Sequence, residues 1–310
     1  MRATFIKALA EIAERDERVM LLTADLGYTV LEEFAGRFPS RFFNVGVAEQ
    51  NMLGVATGLA ESGFIPFVYS IATFATLRPY EFIRNGPILH QLPVRIVGVG
   101  GGFEYGTAGP THHAVEDVGV LRLQPGITVI APADYNQART ALETTWELDG
   151  PVYYRLGKDE QRLVPGLDGA FSLGRAQLVR DGDALLIVVM GSVAPEAVAA
   201  AEELSVDGIE CAVLVVASVS PVPEEDLIEQ LSRFRTVLTV EAHFVTGGVG
   251  SLVAEVAADN GLGCRVVRNG VKVPLGAPGG SEAYLLDHHG LSRGKLREAA
   301  RLAVLQTASI

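Results

Sequence analysis

The strongest constraint on this fold is a regular alternation between short apolar runs and longer segments of helical periodicity. The runs at 19–22, 64–69, 94–99, 128–130 and 152–154 have the length and the β-branched or aromatic content of buried strands. The segments between them place apolar residues three or four positions apart, which is typical of amphipathic helices. Strands that alternate with helices predict a parallel sheet covered by helices on both faces.

The alternation occurs twice, with a polar stretch containing glycine and proline between the two occurrences. We therefore predict an α/β protein of two parallel-sheet domains with helices on both faces. The domains are residues 1–160 and 176–310, joined by a linker at 161–175. A length of 310 residues and a hydrophobic fraction of 48% are sufficient for two cores.

Composition argues against several classes of partner. The formal net charge of −12 disfavours a general binder of nucleic acid or of anionic membranes. Cys211 and Cys264 lie far apart and show neither metal-ligand spacing nor a disulfide framework, which fits a reducing cytoplasm. The N-terminus leads directly into a charged amphipathic helix, with no signal peptide and no apolar run of membrane-spanning length. We expect a cytoplasmic protein.

Glu49 is the most informative single residue. The apolar run at 42–45 predicts a buried strand that ends at the turn at Gly46, and the segment 48–60 predicts a helix that is apolar on most of its surface. Glu49 falls in the first turn of that helix, where an exposed acid stabilises the helix by about 0.3–1 kcal/mol. Because its neighbours are apolar on both sides, we instead predict a carboxyl group that is shielded from water and can share a proton.

Further polar residues are predicted to lie close to Glu49. In open parallel sheets, ligands bind beyond the carboxyl ends of the strands. The residues of the first domain that fall there are Asp25, Thr29, Glu49, the turn 69–74, the loop 100–113 and Arg155. We predict that they form one contiguous site.

Four motifs, in this order along the chain, resemble those of the transketolases and deoxyxylulose-phosphate synthases. The segment 42–51 is similar to the aminopyrimidine-binding motif, and the segment 66–70 followed by Phe74 resembles the one whose aromatic ring stacks on the cofactor. The Gly-Pro-Thr-His sequence at 109–112 resembles the substrate-histidine motif, and 239–251 resembles the signature of the C-terminal domain. Together they are specific to this superfamily.

The resemblance implies that the cofactor is thiamine diphosphate. Glu49 would then be catalytic, forming a hydrogen bond to a ring nitrogen of the aminopyrimidine and sharing a proton with it. Phe74 would stack on the pyrimidine ring. Asp25 and Leu26 match positions near the cofactor.

The resemblance also implies substrate contacts. His112 would touch the substrate's oxygens and shuttle protons. Thr29 matches a position near the donor-sugar phosphate, although it directly precedes a predicted helix and could instead cap it. Arg155 resembles a phosphate-binding arginine, and a surface ion pair is an equally good interpretation.

The glycine-rich loop departs from the family pattern. Where the family has Thr-His and Glu-Asp, this chain has Val-Gly at 99–100 and Thr-Ala at 107–108. Glu104, Tyr105 and His113 are candidates to replace the lost substrate contacts. A site that lacks a hydroxyl-reading acid should tolerate less oxygenated or bulkier substrates, so we expect ordinary pentose phosphates not to be the best pair.

Two features of the second domain are expected to be structural. The glycine-rich run 247–250 lacks the lysine of a P-loop, which favours close helix packing over phosphate binding. His243 is expected to support the interface near the site.

Part of the family's machinery is missing from this sequence. Complete enzymes carry an additional N-terminal domain that binds the diphosphate through Mg²⁺ with a Gly-Asp-Gly segment, and we find no equivalent here. The resemblance therefore implies the C-terminal subunit of a split transketolase, which moves a ketol unit from a ketose to an aldehyde. The Mg²⁺ ligands would lie on a separate N-terminal subunit. A homodimer of this chain would form the centre of a heterotetramer.

Two alternatives stay open. One is the β subunit of a 2-oxoacid dehydrogenase first component, which shares the fold; the motifs at 42–51 and 109–112 favour the transketolase interpretation. The other is a non-catalytic paralogue, and the presence of Glu49, Phe74 and His112 argues against it.

Overall fold

Two mostly parallel sheets form the framework of the protein. The computed structural model describes residues 1–158, 160–273, 276 and 279–307. The strands are β1 (Val19–Thr23), β2 (Phe42–Asn44), β3 (Ile65–Ile71), β4 (Arg95–Val99), β5 (Thr128–Ile130), β6 (Val152–Leu156), β7 (Gln177–Arg180), β8 (Leu185–Met190), β9 (Cys211–Val215), β10 (Ser218–Ser220), β11 (Thr236–Phe244) and β12 (Arg265–Val271). The α-helices are α1 (Arg2–Arg15), α2 (Glu32–Arg37), α3 (Glu49–Glu61), α4 (Ala72–Thr76), α5 (Tyr80–Ile83), α6 (Asp117–Arg122), α7 (Tyr135–Thr145), α8 (Ala194–Val206), α9 (Glu224–Arg233), α10 (Val249–Asp259), α11 (Glu282–His288) and α12 (Arg293–Thr307).

The strand order confirms the predicted α/β class. The first sheet has the order β10-β5-β6-β4-β3-β1-β2, and the second has the order β12-β11-β8-β9-β7. All neighbours are parallel except β10 with β5 and β7 with β9, which are antiparallel edge pairs. Every residue of β1, β3, β4, β6, β8 and β9 is buried, as expected when helices cover both faces of a sheet. In the described part of the chain, no helix is long and apolar enough to cross a membrane.

One strand of the first sheet, β10, comes from the second half of the chain. β10 follows the predicted linker by more than forty positions in sequence, yet it pairs with β5 of the first sheet, with Ser218 opposite Ile130. A short apolar run does not reveal which sheet it joins, so the sequence could not have placed this strand.

A strand does form within the segment 42–45, but the prediction that this strand is buried was wrong. β2 is a three-residue strand at the edge of the first sheet, and it pairs with β1 alone. Phe43 is 40% exposed. The apolar character of the segment therefore does not reflect burial within this chain.

The segment 77–91, whose apolar spacing predicts one helix, instead contains α5 and a π-helical turn at Arg84–Ile88. α4 ends just before this segment, at Thr76. Pro79 lies between α4 and α5 and Pro87 lies within the π turn, and proline removes a backbone donor and disrupts a regular helix. As a result Phe74 lies within α4, and Arg78 lies in the break before α5.

The glycine-rich run 247–250 is closely packed, as predicted. The Glu241 carboxylate of β11 accepts the backbone N–H groups of Val249 (2.8 Å) and Gly250 (2.9 Å) at the start of α10. A Cβ atom on Gly248 would lie 1.8 Å from Glu241 Oε2. The anion-binding end of this helix is thus filled by the protein's own carboxylate.

His243 is a buried neutral neighbour of this carboxylate. Its Nε2 accepts the backbone N–H of Gly119 at 3.1 Å, and its Nδ1 lies 2.7 Å from the carbonyl oxygen of Phe244. Burial lowers the pKa of His243 to about 4 and raises the pKa of Glu241 to about 7. Since His243 joins β11 to α6 of the first half, it supports the interface between the two sheets.

These two pKa shifts act in opposite directions when the pH falls. The contribution of Glu241, whose pKa is raised from 4.5, is fully present below pH 4.5 and is lost as the pH rises through about 7. The contribution of His243, whose pKa is lowered from 6.5, is present above pH 6.5 and is lost as the pH falls through about 4. When the pH falls, the stability gained through Glu241 therefore offsets the stability lost through His243.

We expect Glu241→Gln to make the protein more sensitive to acid. The variant keeps the destabilising titration of His243 but lacks the opposing titration, so its unfolding free energy should drop by about 3 kcal/mol more than wild type between pH 7 and 4.5. Urea unfolding across this range measures the difference. Glu225→Gln, at an exposed glutamate of α9, is the control, and parallel pH curves for wild type and Glu241→Gln would contradict the assignment.

Candidate cofactor and substrate site

The candidate site lies at one edge of the first sheet. β2, β1, β3 and β4 follow one another in the sheet order with β2 at its end, so the loops after their carboxyl ends meet. These loops carry Asp25, Glu49, Phe74 and the glycine-rich segment 100–113.

Asn44 organises the turn that leads to Glu49. Its Nδ2 donates to Asp25 Oδ1 at 2.9 Å, and its Oδ1 accepts the backbone N–H groups of Asp25 (3.1 Å) and Gly46 (3.0 Å). Gly46 has a φ of +72°, a conformation that glycine adopts without strain. The turn ties the ends of β1 and β2 together and sets where α3 begins.

Glu49 is the first residue of α3, and it is buried as predicted. The residue is 2% exposed. Its Oε1 accepts the hydroxyl of Ser70 at 3.2 Å, and its Oε2 accepts Nη1 of Arg78 at 2.9 Å. The carboxyl group is therefore held by two donors, a hydroxyl group of β3 and the guanidinium of Arg78.

Arg78 was not foreseen from the sequence. Its guanidinium carbon lies 4.0 Å from the centroid of the Phe74 ring, and the same group forms the ion pair with Glu49. The Arg78 side chain is 45% exposed, whereas that of Glu49 is 1% exposed. A planar cation is thus stacked on the aromatic ring and paired with the buried acid.

His112 is in edge contact with the Phe74 ring. The two ring centroids are 5.0 Å apart with an interplanar angle of 68°. The Nδ1 of His112 lies 3.0 Å from the hydroxyl of Thr111. The structure therefore brings Glu49, Phe74 and His112 together, as the three motifs predict, with Arg78 between the first two.

An open cavity of about 450 Å³ lies next to this group. It is lined by Val47, Ala48, Glu49, Gln50, Asn51 and Arg78. A cavity of this size is within the usual range for small-molecule sites. The cavity thus gives a ligand access to the Glu49 carboxyl group from the side of α3.

Asp25, Leu26 and Thr29 lie on the rim of the site. Asp25 and Thr29 are exposed and have positive φ values of 57° and 66°. The backbone N–H of Thr29 donates to Glu32 Oε1 at 2.7 Å. Because α2 begins only at Glu32 and no side chain caps it, the helix-capping interpretation of Thr29 is wrong.

Glu104 contacts the second half of the chain, whereas Tyr105 contacts Lys158 of the first half. Glu104 accepts the Ser192 hydroxyl at 2.6 Å and the backbone N–H of Lys158. Burial raises the pKa of Glu104, although both hydrogen bonds oppose the shift. Lys158 Nζ lies 4.3 Å from the centre of the Tyr105 ring. Both residues therefore anchor the glycine-rich loop, and neither forms a contact with Glu49 or Phe74 in the described structure.

His113 is turned away from His112. It is 2% exposed, its ring lies edge-on to Phe103 with centroids 5.2 Å apart, and its Nε2 is 3.4 Å from the carbonyl oxygen of Gly106. Burial lowers its pKa. The structure thus places His113 inside the loop rather than on the face that carries His112.

Arg155 fits neither interpretation drawn from the sequence. It is 3% exposed, so it is not a surface ion pair, and its guanidinium is occupied rather than free for a phosphate. Nε donates to Asp117 Oδ2 at 2.8 Å, and Nη2 donates to the carbonyl oxygens of Ala114 (2.8 Å) and Ala242 (3.0 Å). Arg155 joins the first sheet to β11 of the second.

A metal site is not evident on this chain. Across residues 1–158, 160–273, 276 and 279–307, no group of three or more His, Cys, Asp and Glu side chains is arranged to hold a metal ion. The candidate site therefore offers a buried acid, an aromatic ring, a histidine and a cavity.

Comparison with known proteins identifies both halves of the chain. Residues 1–162 match the family described as "Transketolase, pyrimidine binding domain", and residues 174–296 match "Transketolase, C-terminal domain". The "Putative transketolase C-terminal section" of Methanocaldococcus jannaschii is 38% identical over 294 residues, covering 94% of this chain and 92% of that protein.

Two further relatives differ in length. A 6-deoxy-6-sulfo-D-fructose transketolase subunit of Clostridium sp. (strain MSTE9) is 37% identical, covering 97% of this chain and 93% of that protein. A 1-deoxy-D-xylulose-5-phosphate synthase of Syntrophotalea carbinolica is 38% identical over 86% of this chain, which spans only 42% of that longer protein.

Among solved structures, one described as "Split gene transketolase, inactive beta4 tetramer" superposes with a TM-score of 0.88 and 36% identity, covering 98% of this chain and 97% of that one.

We expect Arg155→Leu to destabilise the protein strongly. The substitution leaves the buried Asp117 carboxylate without its counter-charge, which should lower the unfolding free energy by about 3–5 kcal/mol. Urea unfolding of the purified chain measures this. The double variant Arg155→Leu with Asp117→Asn removes the orphaned charge and should recover part of the loss. A change below about 1 kcal/mol, as for an exposed pair, would contradict the buried role.

Proposed function

The chain belongs to the transketolase family, and we propose that it is the C-terminal subunit of a two-chain transketolase that uses thiamine diphosphate. In this role it moves a ketol unit from a ketose to an aldehyde acceptor. Burial of Glu49 beside Phe74 and His112 carries the proposal, because the three motifs that point to this chemistry meet at one place.

The residues at the site suit one half of the cofactor. Glu49 offers a buried carboxyl group that can share a proton with a ring nitrogen, Phe74 offers a flat apolar partner, and the adjoining cavity gives access to Glu49. When bound, thiamine diphosphate supplies the electron sink for breaking and forming the carbon–carbon bond beside a carbonyl. The Mg²⁺ ligands are expected on a separate subunit, and no cluster of three or more His, Cys, Asp and Glu side chains suited to a metal ion occurs among the described residues.

Each residue of the candidate site has a distinct role in this proposal. Glu49 forms the hydrogen bond to the ring nitrogen of the cofactor, in a place from which water is largely excluded. Phe74 fixes the orientation of the ring by stacking. His112, in edge contact with Phe74, faces the substrate's oxygens and moves protons to and from them. Asp25 and Leu26 line the cofactor's rim, and Thr29 lies toward the donor sugar.

We place the diphosphate and its Mg²⁺ on a separate N-terminal subunit. The relatives of similar length support this, because one is described as a C-terminal section and another as a subunit. The chain also corresponds to less than half of a longer synthase. We further propose that two copies of this chain pair at the centre of a heterotetramer in the cytoplasm.

An apolar surface beside the site supports pairing with another chain. Phe43, Val47, Val55 and Phe82 are 40%, 71%, 39% and 42% exposed. They lie on β2, on α3 or its leading turn, and on α5. Exposed large apolar side chains grouped in this way are typical of protein interfaces. The same surface would place a second chain close to Glu49.

The reported relatives favour ketol transfer over acyl transfer to a lipoyl group. They are described as transketolase subunits and a deoxyxylulose-phosphate synthase. We therefore do not favour the alternative of a 2-oxoacid dehydrogenase subunit. A lipoamide-reduction assay on the assembled complex distinguishes the two.

The decisive experiment measures turnover with and without the partner. We expect the purified chain with thiamine diphosphate and Mg²⁺ to be inactive, and the N-terminal subunit to restore ketol transfer. In the restored complex Glu49→Gln should lower kcat by about 10²-fold or more, because the variant cannot share a proton. Glu61→Gln, at the opposite end of α3, is the matched control. Robust turnover without a partner, or a Glu49→Gln complex as active as wild type, would contradict the proposal.

We also expect the complex to prefer substrates other than ordinary pentose phosphates. Glu104 and His113 are engaged within the protein, so the loop presents few groups that read sugar hydroxyls. One relative is described as acting on a sulfonated deoxy sugar, which points the same way. A comparison of kcat/KM across deoxy, sulfonated and pentose phosphate donors tests this, and the highest value for a pentose phosphate would refute it.

A further inference from the structure

We propose that Arg78 is an internal occupant of the ring site, which has to turn toward solvent before the aminopyrimidine of thiamine diphosphate can bind. This inference rests on the proposed function and adds to it a residue that competes with the cofactor. It concerns the group formed by Glu49, Phe74 and Arg78.

The first step is the match between the guanidinium and the ring that it replaces. A bound aminopyrimidine needs an aromatic surface to stack on and a carboxyl group to hydrogen-bond. The Arg78 guanidinium is also planar, lies 4.0 Å above the centroid of Phe74, and donates to Glu49 Oε2 at 2.9 Å. It thus already forms the two contacts for which the proposed site is built.

The second step concerns which donor can leave Glu49. Ser70 holds Oε1 from within β3 and is completely buried, so it has nowhere to move. The Arg78 side chain is 45% exposed and lies in the break between α4 and α5. A rotation about its long side chain carries the guanidinium into water, where it is well solvated. Arg78 is therefore the exchangeable partner.

The third step is the benefit of such an arrangement. An ionised carboxyl group that is buried without a partner is strongly unfavourable. While no cofactor is present, Arg78 supplies the counter-charge and covers the aromatic ring. The pair thereby preserves the shape of the site, but cofactor binding has to break it.

The test measures by calorimetry how tightly thiamine diphosphate binds to the complex of this chain with its N-terminal partner. Arg78→Gln removes the charge and the stacked guanidinium, so we expect thiamine diphosphate to bind about three- to tenfold more tightly, with faster association. Arg84→Gln, which removes a nearby positive charge outside this group, should bind as wild type does. Unchanged or weaker binding by Arg78→Gln would overturn the inference, because Arg78 would then assist the cofactor.

A second measurement tests the space that the Arg78 guanidinium leaves when the side chain is shortened. In Arg78→Ala, added methylguanidinium should compete with thiamine diphosphate and raise its apparent Kd, whereas tetramethylammonium, which has no N–H donors, should not. Equal effects of the two cations would overturn the inference. If the wild-type complex binds no thiamine diphosphate, the proposed function fails and this inference fails with it; binding by wild type together with weaker binding by Arg78→Gln refutes the inference alone.

Discussion

Burial of one carboxylate is the constraint on which the candidate site depends. Glu49 starts a helix at the edge of a parallel sheet, and it is shielded there because β3 and α4 pack beside it. Asn44 and Gly46 set the turn that fixes its position, and Ser70 holds one of its oxygens. A carboxyl group exposed at this place would be an ordinary helix-start charge.

Sequence reasoning was most successful where a local pattern determines structure. The alternation of strands and helices predicted the α/β class, and the motifs brought Glu49, Phe74 and His112 to one edge of one sheet. It was less successful for elements whose patterns are weak. β12 is partly exposed and carries arginines at positions 265 and 268, so it lacks the continuous apolar run that marks an internal strand. α9 is an exception, because the proline before it and the three acids in its first turn do predict the start of a helix.

Side-chain partners from distant parts of the chain were beyond sequence reasoning. Nothing about Arg78 in the sequence shows that its guanidinium pairs with Glu49, which lies 29 positions earlier in the chain. Arg155 ends a strand whose neighbours leave the charge no route to solvent, and its partner Asp117 comes from a separate helix. Glu104 likewise meets Ser192 of the other half. The loop that carries His112 is thus positioned by both halves of the chain.

The second half of the chain supplies β10 to the first sheet, and this pairing has a consequence for the stability of the protein. β10 covers the β5 edge of the first sheet, so removing everything after the linker would leave the backbone groups of that edge unpaired. The buried Arg155 guanidinium would also lose the carbonyl of Ala242. The two halves therefore form one cooperative unit, and the boundary between the family domains is not a point at which the polypeptide can be divided into autonomously folding parts.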